Sequence, residues 1–258
     1  MIADNVRFAR GALAAHKLRS SLTVLGIVIG VTTVIAMVSI IEGFNNNVIK
    51  SFQSFGSTLV QFQKFDPQFG PGNNNQQQQN RKNLTYEDAL ALKALCPSMA
   101  AVSPERYWFA GNNNTATPDV VYRRQEATPD TLAGVMPDYT AANHHFVGEG
   151  RFITEGDVRR SGNVVVIGYA VMESLFPRVD PIGKEVSLSG RKYIVIGVME
   201  RQGQQTFFES VDSHVYLPIT TFDRDFPWIK KTQGVNIATI PLRPEWIDRI
   251  IDEGTTVL

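Results

Sequence analysis

The 258-residue sequence is 43% hydrophobic and 19% charged, which is typical of folded proteins and excludes disorder of the whole chain. Its 25 basic side chains equal its 25 acidic ones, so the composition excludes a broadly basic surface, and we expect no nucleic-acid partner. The single cysteine, Cys96, excludes an intrachain disulfide, so stability must come from burial.

The first 21 residues form a basic segment with four positive side chains against Asp4. Apolar residues recur within it at helical spacing, which predicts a short amphipathic helix in the headgroup layer of a membrane. An unstructured basic tail is the alternative. The residues predicted to anchor the segment at the membrane surface are Arg7, Arg10, Lys17 and Arg19.

Residues 22–41 contain neither a charged residue nor a proline. A helix of this length spans about 30 Å, the hydrocarbon thickness of a bilayer, which predicts a transmembrane helix. A buried core helix would seldom be apolar on every face, and a signal peptide would have a shorter apolar run and a cleavage site. The positive charge before the span predicts a cytoplasmic N-terminus.

Three small residues, Gly26, Gly30 and Thr33, lie on one face of the predicted span. Small residues allow a second helix to approach closely in lipid, so this face is a predicted helix-packing site.

The helical period continues beyond the span, which predicts a stalk helix over residues 42–56 that ends at Gly56. Its apolar stripe, the predicted stalk interface, comprises Phe44, Val48, Phe52 and Phe55.

Residues 57–110 predict a strand, a helix and a second strand. The first strand is expected over 58–65 and is followed by a polar, low-complexity loop over 66–83. Thr85 and Asp88 fit a capping box for a helix that ends at Leu95, before Pro97. The second strand is expected over 102–109.

Residues 111–225 predict a mainly β insertion. Strands are expected at 164–167 and 214–217, with a helix over 170–176 between them. A hairpin with a Ser189-Gly190 turn is expected at 186–198. Gly150 and Gly168 are interpreted as turn residues, and Asp157 as a side chain that bonds backbone amides.

Residues 226–258 predict a strand over 235–240 and a helix that begins at Pro244. Its apolar side is expected to contain Trp246, Ile247, Ile250 and Ile251. A strand that would close this unit is missing. The fold class expected is α+β, with a split α/β domain interrupted by the mainly β insertion.

No catalytic residue, metal site or cofactor is predicted. The four histidines, His16, His144, His145 and His214, lack metal-ligand spacing, and no G-x-S-x-G or G-x-x-x-x-G-K-[ST] motif occurs. The acidic pairs Asp223 with Asp225 and Asp252 with Glu253 are interpreted as solvated surface residues. Cys96 is interpreted as a small buried side chain.

Several blocks along the chain carry a resemblance to a known family. They are NVRFARGAL at 5–13, HKLRSSLTVLGIVIGV at 16–31, GEGRFITEGD at 148–157, VVVIG at 164–168, LFP at 175–177, DPIGKEV at 180–186, YIVIGVM at 193–199 and DSHVYLP at 212–218. The whole chain resembles the N-terminal part of MacB/FtsX-like ABC transporter permeases. The resemblance implies a periplasmic domain with an α/β Porter part interrupted by a β-rich Sabre part.

The resemblance also implies a function, mechanotransmission. The chain would relay motion driven by a cytoplasmic ABC ATPase subunit to the periplasm, for efflux or extraction of a drug, peptide, lipid or lipoprotein. It would lie in the bacterial inner membrane as a homo- or heterodimer, with a periplasmic adaptor protein as a further expected partner. Members of the family continue with three further spans, so the chain is expected to be a fragment or a truncated product. The alternative function is a single-span sensor with a periplasmic ligand-binding domain.

Overall fold

The computed structural model describes residues 17–54, 58–64, 81–110, 116–203 and 211–258. The chain divides into two compact units, residues 1–50 and 51–258. The predicted loop over 66–83 lies outside the described residues except for residues 81–83.

The described residues of the first unit all belong to one helix, α1, which spans Lys17–Ser54 and thus ends four residues beyond Lys50. Its interior contains no proline, so no residue removes a backbone hydrogen bond. Residues 17–21 of the predicted headgroup helix belong to α1 and are continuous with the apolar stretch. Residues 1–16 of that prediction lie outside the described part of the chain.

The second unit is a mixed sheet with helices on both faces. Its described strands, in chain order, are β1 Val60–Phe62, β2 Met99–Phe109, β3 Val120–Tyr122, β4 Gln125–Ala127, β5 Thr131–Val135, β6 Val147–Gly150, β7 Val164–Ile167, β8 Glu185–Leu188, β9 Arg191–Met199, β10 His214–Pro218 and β11 Asn236–Pro241. The described helices of this unit are α2 Tyr86–Leu95, α3 Tyr139–Asn143, α4 Glu155–Arg159, α5 Tyr169–Leu175, α6 Ile219–Asp225, α7 Pro227–Thr232 and α8 Ile247–Val257.

The strands are ordered β1-β11-β2-β5-β10-β7-β9-β8-β3-β4, with β6 added on β9. The pairs β10 with β5 and β7 with β9 are parallel, and the other pairs are antiparallel. The long strand β2 changes partner part way along. It pairs with β11 up to Glu105 and with β5 from Arg106 onward, so these two residues lie at the junction of the sheet.

Alternate residues of the central strands face two different hydrophobic clusters. Val165 and Ile167 pack with helices α5, α6 and α7, whereas Val166 packs with α2, α3 and α4. Because side chains alternate across a strand, this arrangement makes three layers with the sheet in the middle. The α+β fold class predicted from the sequence is confirmed, while the division at residues 111 and 225 stays a prediction.

Several local predictions are confirmed in detail. Thr85 caps α2, with its hydroxyl accepting from the Asp88 amide at 3.2 Å and the Asp88 carboxylate accepting from the Thr85 amide at 2.8 Å. The hairpin of β8 and β9 turns at Ser189 and Gly190, whose φ angles of 50° and 78° fit a type I′ turn.

In other places the predicted bounds of a strand or the predicted buried face of a helix are wrong. The strand expected at 58–65 is confined to Val60–Phe62, and β2 begins at Met99 rather than 102. Ile251 is 39% exposed, because the inward face of α8 is formed by Ile250 and Gly254 instead.

Gly168 was predicted as a turn glycine, but its φ of −69° is accessible to any residue. A Cβ at this position would lie 2.2 Å from the Asp212 carbonyl oxygen. The glycine is therefore required by close approach of two backbone segments, a property that only the tertiary fold defines.

Candidate functional site

The apolar part of α1 is the first candidate functional feature. It extends over Ser21–Glu42, 22 residues, and none of it is buried within the protein. Its large side chains are more than half exposed at positions such as Leu22, Ile27 and Ile35. A helix that is apolar on all sides and covered by no protein is stable in hydrocarbon rather than in water.

The hydroxyl groups of two threonines of α1 are satisfied within the helix. The Thr23 hydroxyl donates to the Arg19 carbonyl at 2.9 Å, and the Thr33 hydroxyl donates to the Ile29 carbonyl at 2.8 Å. These bonds leave no hydroxyl donor of the two threonines exposed to lipid, so this part of the helix is compatible with a membrane interior.

The predicted packing face of the span is open. No atom outside the local helix lies within 4 Å of a Cβ built at Gly26 or Gly30, and Thr33 lies one turn beyond them. A neighbouring helix at this face therefore stays a prediction.

The predicted stalk and anchor residues are only partly described. The α1 backbone remains helical through Phe44, Val48 and Phe52, but their side chains lie outside the described part of the chain, as does all of Phe55. Arg19 is exposed near the start of α1, and the Lys17 side chain, Arg7 and Arg10 are not described. The roles of these residues stay predictions.

The second candidate feature is a pair of buried charged residues at the β2 junction, Glu105 and Arg106. Their side chains lie on opposite faces of the strand. The Arg106 guanidinium donates to Asp223 of α6 at 2.8 Å and to the carbonyls of Gln233 and Gly234, the latter at 3.1 Å. Arg106 therefore connects the strand that both halves of the sheet share to the connection between α7 and β11.

Glu105 is fully buried on the other face of β2. Asn143 of α3 donates to one carboxyl oxygen at 2.6 Å, and the Tyr107 hydroxyl donates to the other. Burial raises the pKa of Glu105 to about 7, although the bonds from Tyr107 and Asn143 lower it in part. Glu105 therefore links α3 to the sheet through a buried carboxyl group, whose ionisation costs free energy because the site excludes water.

Four buried residues next to α3 form what we call the Tyr216 cluster: Tyr139, His145, His214 and Tyr216. The Tyr216 hydroxyl lies 3.3 Å from the Tyr139 hydroxyl, 3.3 Å from His145 Nδ1 and 3.4 Å from His214 Nδ1. Each of the four residues is less than 7% exposed. The other ring nitrogen of His145, Nε2, lies 3.3 Å from the Glu200 carbonyl oxygen.

The interpretation of Asp223 and Asp225 as solvated residues is wrong. The Asp225 side chain is 1% exposed and accepts from Arg191, Arg224 and Tyr193. Burial raises the pKa of this carboxyl, but the bonds from Arg224 and Tyr193 outweigh it and the net shift is downward. Adjacent acidic residues suggest solvation only when no basic partner is known, and here the partners come from β9 and α6.

Asp157 bonds backbone amides as predicted. It completes a capping box with Thr154 at the start of α4, and Arg151 donates to it at 2.7 Å. Burial opposes ionisation of this carboxyl, but the bonds from Arg151 and Thr154 outweigh it and lower its pKa to about 2. Its role is structural.

Glu105, Arg106 and the Tyr216 cluster are not predicted from the sequence as interacting groups. A partial signal was present for the first two, because a Glu-Arg pair inside a long strand pattern indicates buried charges that need partners. No such signal existed for the cluster, because His145 and Tyr216 are 71 residues apart. Within the described residues, no group of three or more His, Cys, Asp or Glu side chains is placed to hold a metal ion.

Comparison with known proteins adds the family context. A family profile described as the MacB-like periplasmic core domain matches residues 20–245. The chain is 33% identical over 219 residues to the macrolide export ATP-binding/permease protein MacB of Rhodospirillum rubrum, covering 84% of this chain and 31% of that protein. It is 32% identical over 212 residues to the probable syringafactin export ATP-binding/permease protein SyfD of Pseudomonas syringae pv. syringae, covering 81% and 30%. The chain thus spans about a third of the length of these relatives.

Two solved structures share the fold. The extracellular domain of the noncanonic ABC-type transporter YknZ from Gram-positive bacteria has a TM-score of 0.57 at 20% identity, covering 78% of this chain and 92% of that one. The periplasmic region of MacB from Actinobacillus actinomycetemcomitans has a TM-score of 0.53 at 23% identity, covering 74% and 77%. These similarities support the fold alone.

Proposed function

Because the chain belongs to the family of MacB-like periplasmic core domains, we propose that it is the permease part of an ABC exporter. In this function the chain carries no catalytic residue. ATP hydrolysis takes place in a separate cytoplasmic ATPase subunit or domain, since the sequence has no G-x-x-x-x-G-K-[ST] loop of its own. The chain relays the motion of that ATPase to the extracytoplasmic domain.

The continuity of α1 is the observation that carries this proposal. The helix has 38 residues, of which 22 form the apolar stretch. At 1.5 Å per residue the helix is about 57 Å long, whereas the hydrocarbon layer is about 30 Å thick. One rigid element is therefore long enough to cross the bilayer and extend beyond it, which is the requirement for passing a displacement from one side to the other.

We propose an inner-membrane location with the N-terminus in the cytoplasm. Four basic side chains precede the span, whereas Glu42 is the only charged residue among residues 42–49 after it. Excess positive charge is retained on the cytoplasmic side. Residues 58–258 then lie in the periplasm.

This orientation predicts the labelling of a single cysteine. In a Cys96→Ala background, Gln77→Cys lies in the polar stretch after β1 and should react with a membrane-impermeant maleimide in intact spheroplasts. A cysteine at Ser20, before the span, is the matched control and should react only after lysis. The reverse pattern would contradict the orientation.

The proposed partners follow from the stalk. Its sequence places Phe44, Val48, Phe52 and Phe55 in one apolar stripe, and such a stripe in water requires an apolar cover. We propose that a second permease chain supplies it, because closed two-fold pairing is the commonest way to bury such a surface. A disulfide-linked dimer of the Phe52→Cys variant is the expected sign of this pairing. A periplasmic adaptor is a further proposed partner.

Transport in vesicles tests the function directly. Inverted membrane vesicles from cells that express the natural protein and its ATPase should take up a radiolabelled macrolide or lipopeptide when ATP is added. We expect uptake to be lost in vesicles from a deletion strain. A sensor would give no ATP-driven uptake of any tested drug, peptide or lipid in either strain, and its deletion would change transcript levels instead.

A further inference from the structure

The donors and acceptors of the Tyr216 cluster determine which nitrogen of His145 carries a proton. The Glu200 carbonyl oxygen can only accept, so Nε2 of His145 must donate to it. In a neutral imidazole the other nitrogen, Nδ1, is then an acceptor. The Tyr216 hydroxyl therefore donates to Nδ1, and its lone pairs accept from Tyr139 and from Nδ1–H of His214.

This network joins three parts of the second unit. Tyr139 belongs to α3, Tyr216 to β10, and Glu200 follows β9. The Glu200 amide also donates to the Phe146 carbonyl at 2.9 Å, directly after His145. The neutral His145 ring is thus one of the groups that hold residues 139–147 on the sheet, beside the Phe146–Glu200 backbone bond, the Asn143 bond to Glu105 and the pairing of Val147 with β9.

We propose that His145 is an acid-sensitive latch. Protonation of Nδ1 removes the acceptor of the Tyr216 hydroxyl and releases residues 139–147 from the sheet. After protonation, two donors face each other at Nδ1 and the Tyr216 hydroxyl. The Tyr216 hydroxyl then loses its acceptor at His145, and the hydrogen bonds of the cluster have to rearrange. A buried imidazolium is also costly without a bonded carboxylate.

The charged and titratable groups around His145 define the direction of the pH effect. They are Tyr139 on α3, Asp212 before β10, and His214 and Tyr216 on β10; Glu105 faces α3 from β2 through Asn143. Burial lowers the pKa of His145 from its usual 6.5 to about 4, and the Glu200 bond and Asp212 oppose this only in part. The closed form therefore binds fewer protons at His145 than the open form. The contribution of His145 to the stability of the closed form is fully present above pH 6.5 and is lost as the pH falls toward 4.

Glu105 has the opposite effect on the same segment. Burial raises its pKa from the usual 4.5 to about 7, so the closed form is most stable when Glu105 is protonated and loses stability as the pH rises, even though the Asn143 bond itself favours the carboxylate. Between pH 4.5 and 7 the titrations of the two groups change the opening equilibrium in opposite directions. In the unmodified chain the titration of Glu105 therefore offsets the effect of His145 on opening. A Glu105→Gln background removes the opposing titration while keeping a polar side chain.

Hydrogen exchange of the full chain in detergent micelles tests the latch. In the Glu105→Gln chain, the opening equilibrium of amides 139–147, corrected for intrinsic exchange, should rise about thirtyfold from pH 7.5 to 5.0. Adding His145→Gln should reduce this change to less than about threefold. Adding His144→Gln instead, at the exposed neighbouring histidine, should leave the thirtyfold change intact.

A measurement on the unmodified chain keeps the proposal testable if a variant does not fold. Nitrogen NMR of labelled histidine should show His145 neutral at pH 5.5, with Nε2 protonated. A His145 imidazolium at pH 5.5 in the folded chain would overturn the latch. So would a thirtyfold change that persists after His145→Gln. The proposal is independent of the transport function.

Discussion

Replacing Arg106 with methionine should lower the free energy of unfolding by about 3 kcal/mol, because removing one partner of a buried ion pair leaves the other without compensation. The Arg106 and Asp223 side chains are only 5% and 15% exposed, and the carbonyls of Gln233 and Gly234 lose their donor as well. Asp223 keeps a distant contact with Lys230 at 3.4 Å, so part of its charge remains compensated. Urea unfolding of the full chain in detergent micelles, followed by tryptophan fluorescence, measures the loss.

A surface ion pair of similar length is the control. Lys192 and Glu185 approach to 2.6 Å, but their side chains are 75% and 54% exposed. Because solvent screens such pairs, Lys192→Met should cause no measurable shift of the unfolding midpoint. If the two methionine substitutions destabilise the chain equally, burial is not what makes the Arg106 pair important at the junction of the sheet.

Replacing Val48 with proline should abolish export by the complete transporter while leaving membrane insertion and ATP hydrolysis largely unchanged. Val48 lies inside α1, six residues before the helix ends at Ser54. Proline there removes the backbone bond to the carbonyl of Phe44 and clashes with it, at a cost of ~3 kcal/mol or more. The helix then kinks, and motion of the span no longer passes along the stalk.

Val48→Ala is the matched control, because alanine also removes the apolar side chain but favours the helix. Export measured in the vesicle assay should therefore survive Val48→Ala and be lost with Val48→Pro. If the proline variant exports normally, the stalk is a spacer. If alanine abolishes export as well, the Val48 side chain rather than the helical backbone carries the function.

The features predicted correctly from the sequence depend on neighbouring residues. The capping box of Thr85 and Asp88 acts over three residues, and the Ser189-Gly190 turn is defined by two adjacent φ angles. The helical character of residues 22–41 follows from an uninterrupted apolar composition. In each case the physical cause is complete within one short segment, and the family resemblance rested on such segments.

The features that were missed or misjudged depend on residues distant in the chain. Asp225 was interpreted as solvated because its partner Arg191 comes from a strand that the sequence does not place beside it. Gly168 was explained by a turn, although the cause is a carbonyl oxygen 44 residues away. Strand β2 was predicted, but its change of partner at Glu105 and Arg106 was not.

The sequence by itself therefore determined the long apolar helix, most of the strands, half of the described helices and the family, because composition and local spacing are sufficient for each of these. Only the tertiary structure decided which charges are buried and paired. The cost of a buried charge depends on the donors and acceptors around it, and these come from strands and helices that meet only after folding. His145 illustrates the difference, since its neighbour His144 has the same side chain but remains exposed to solvent.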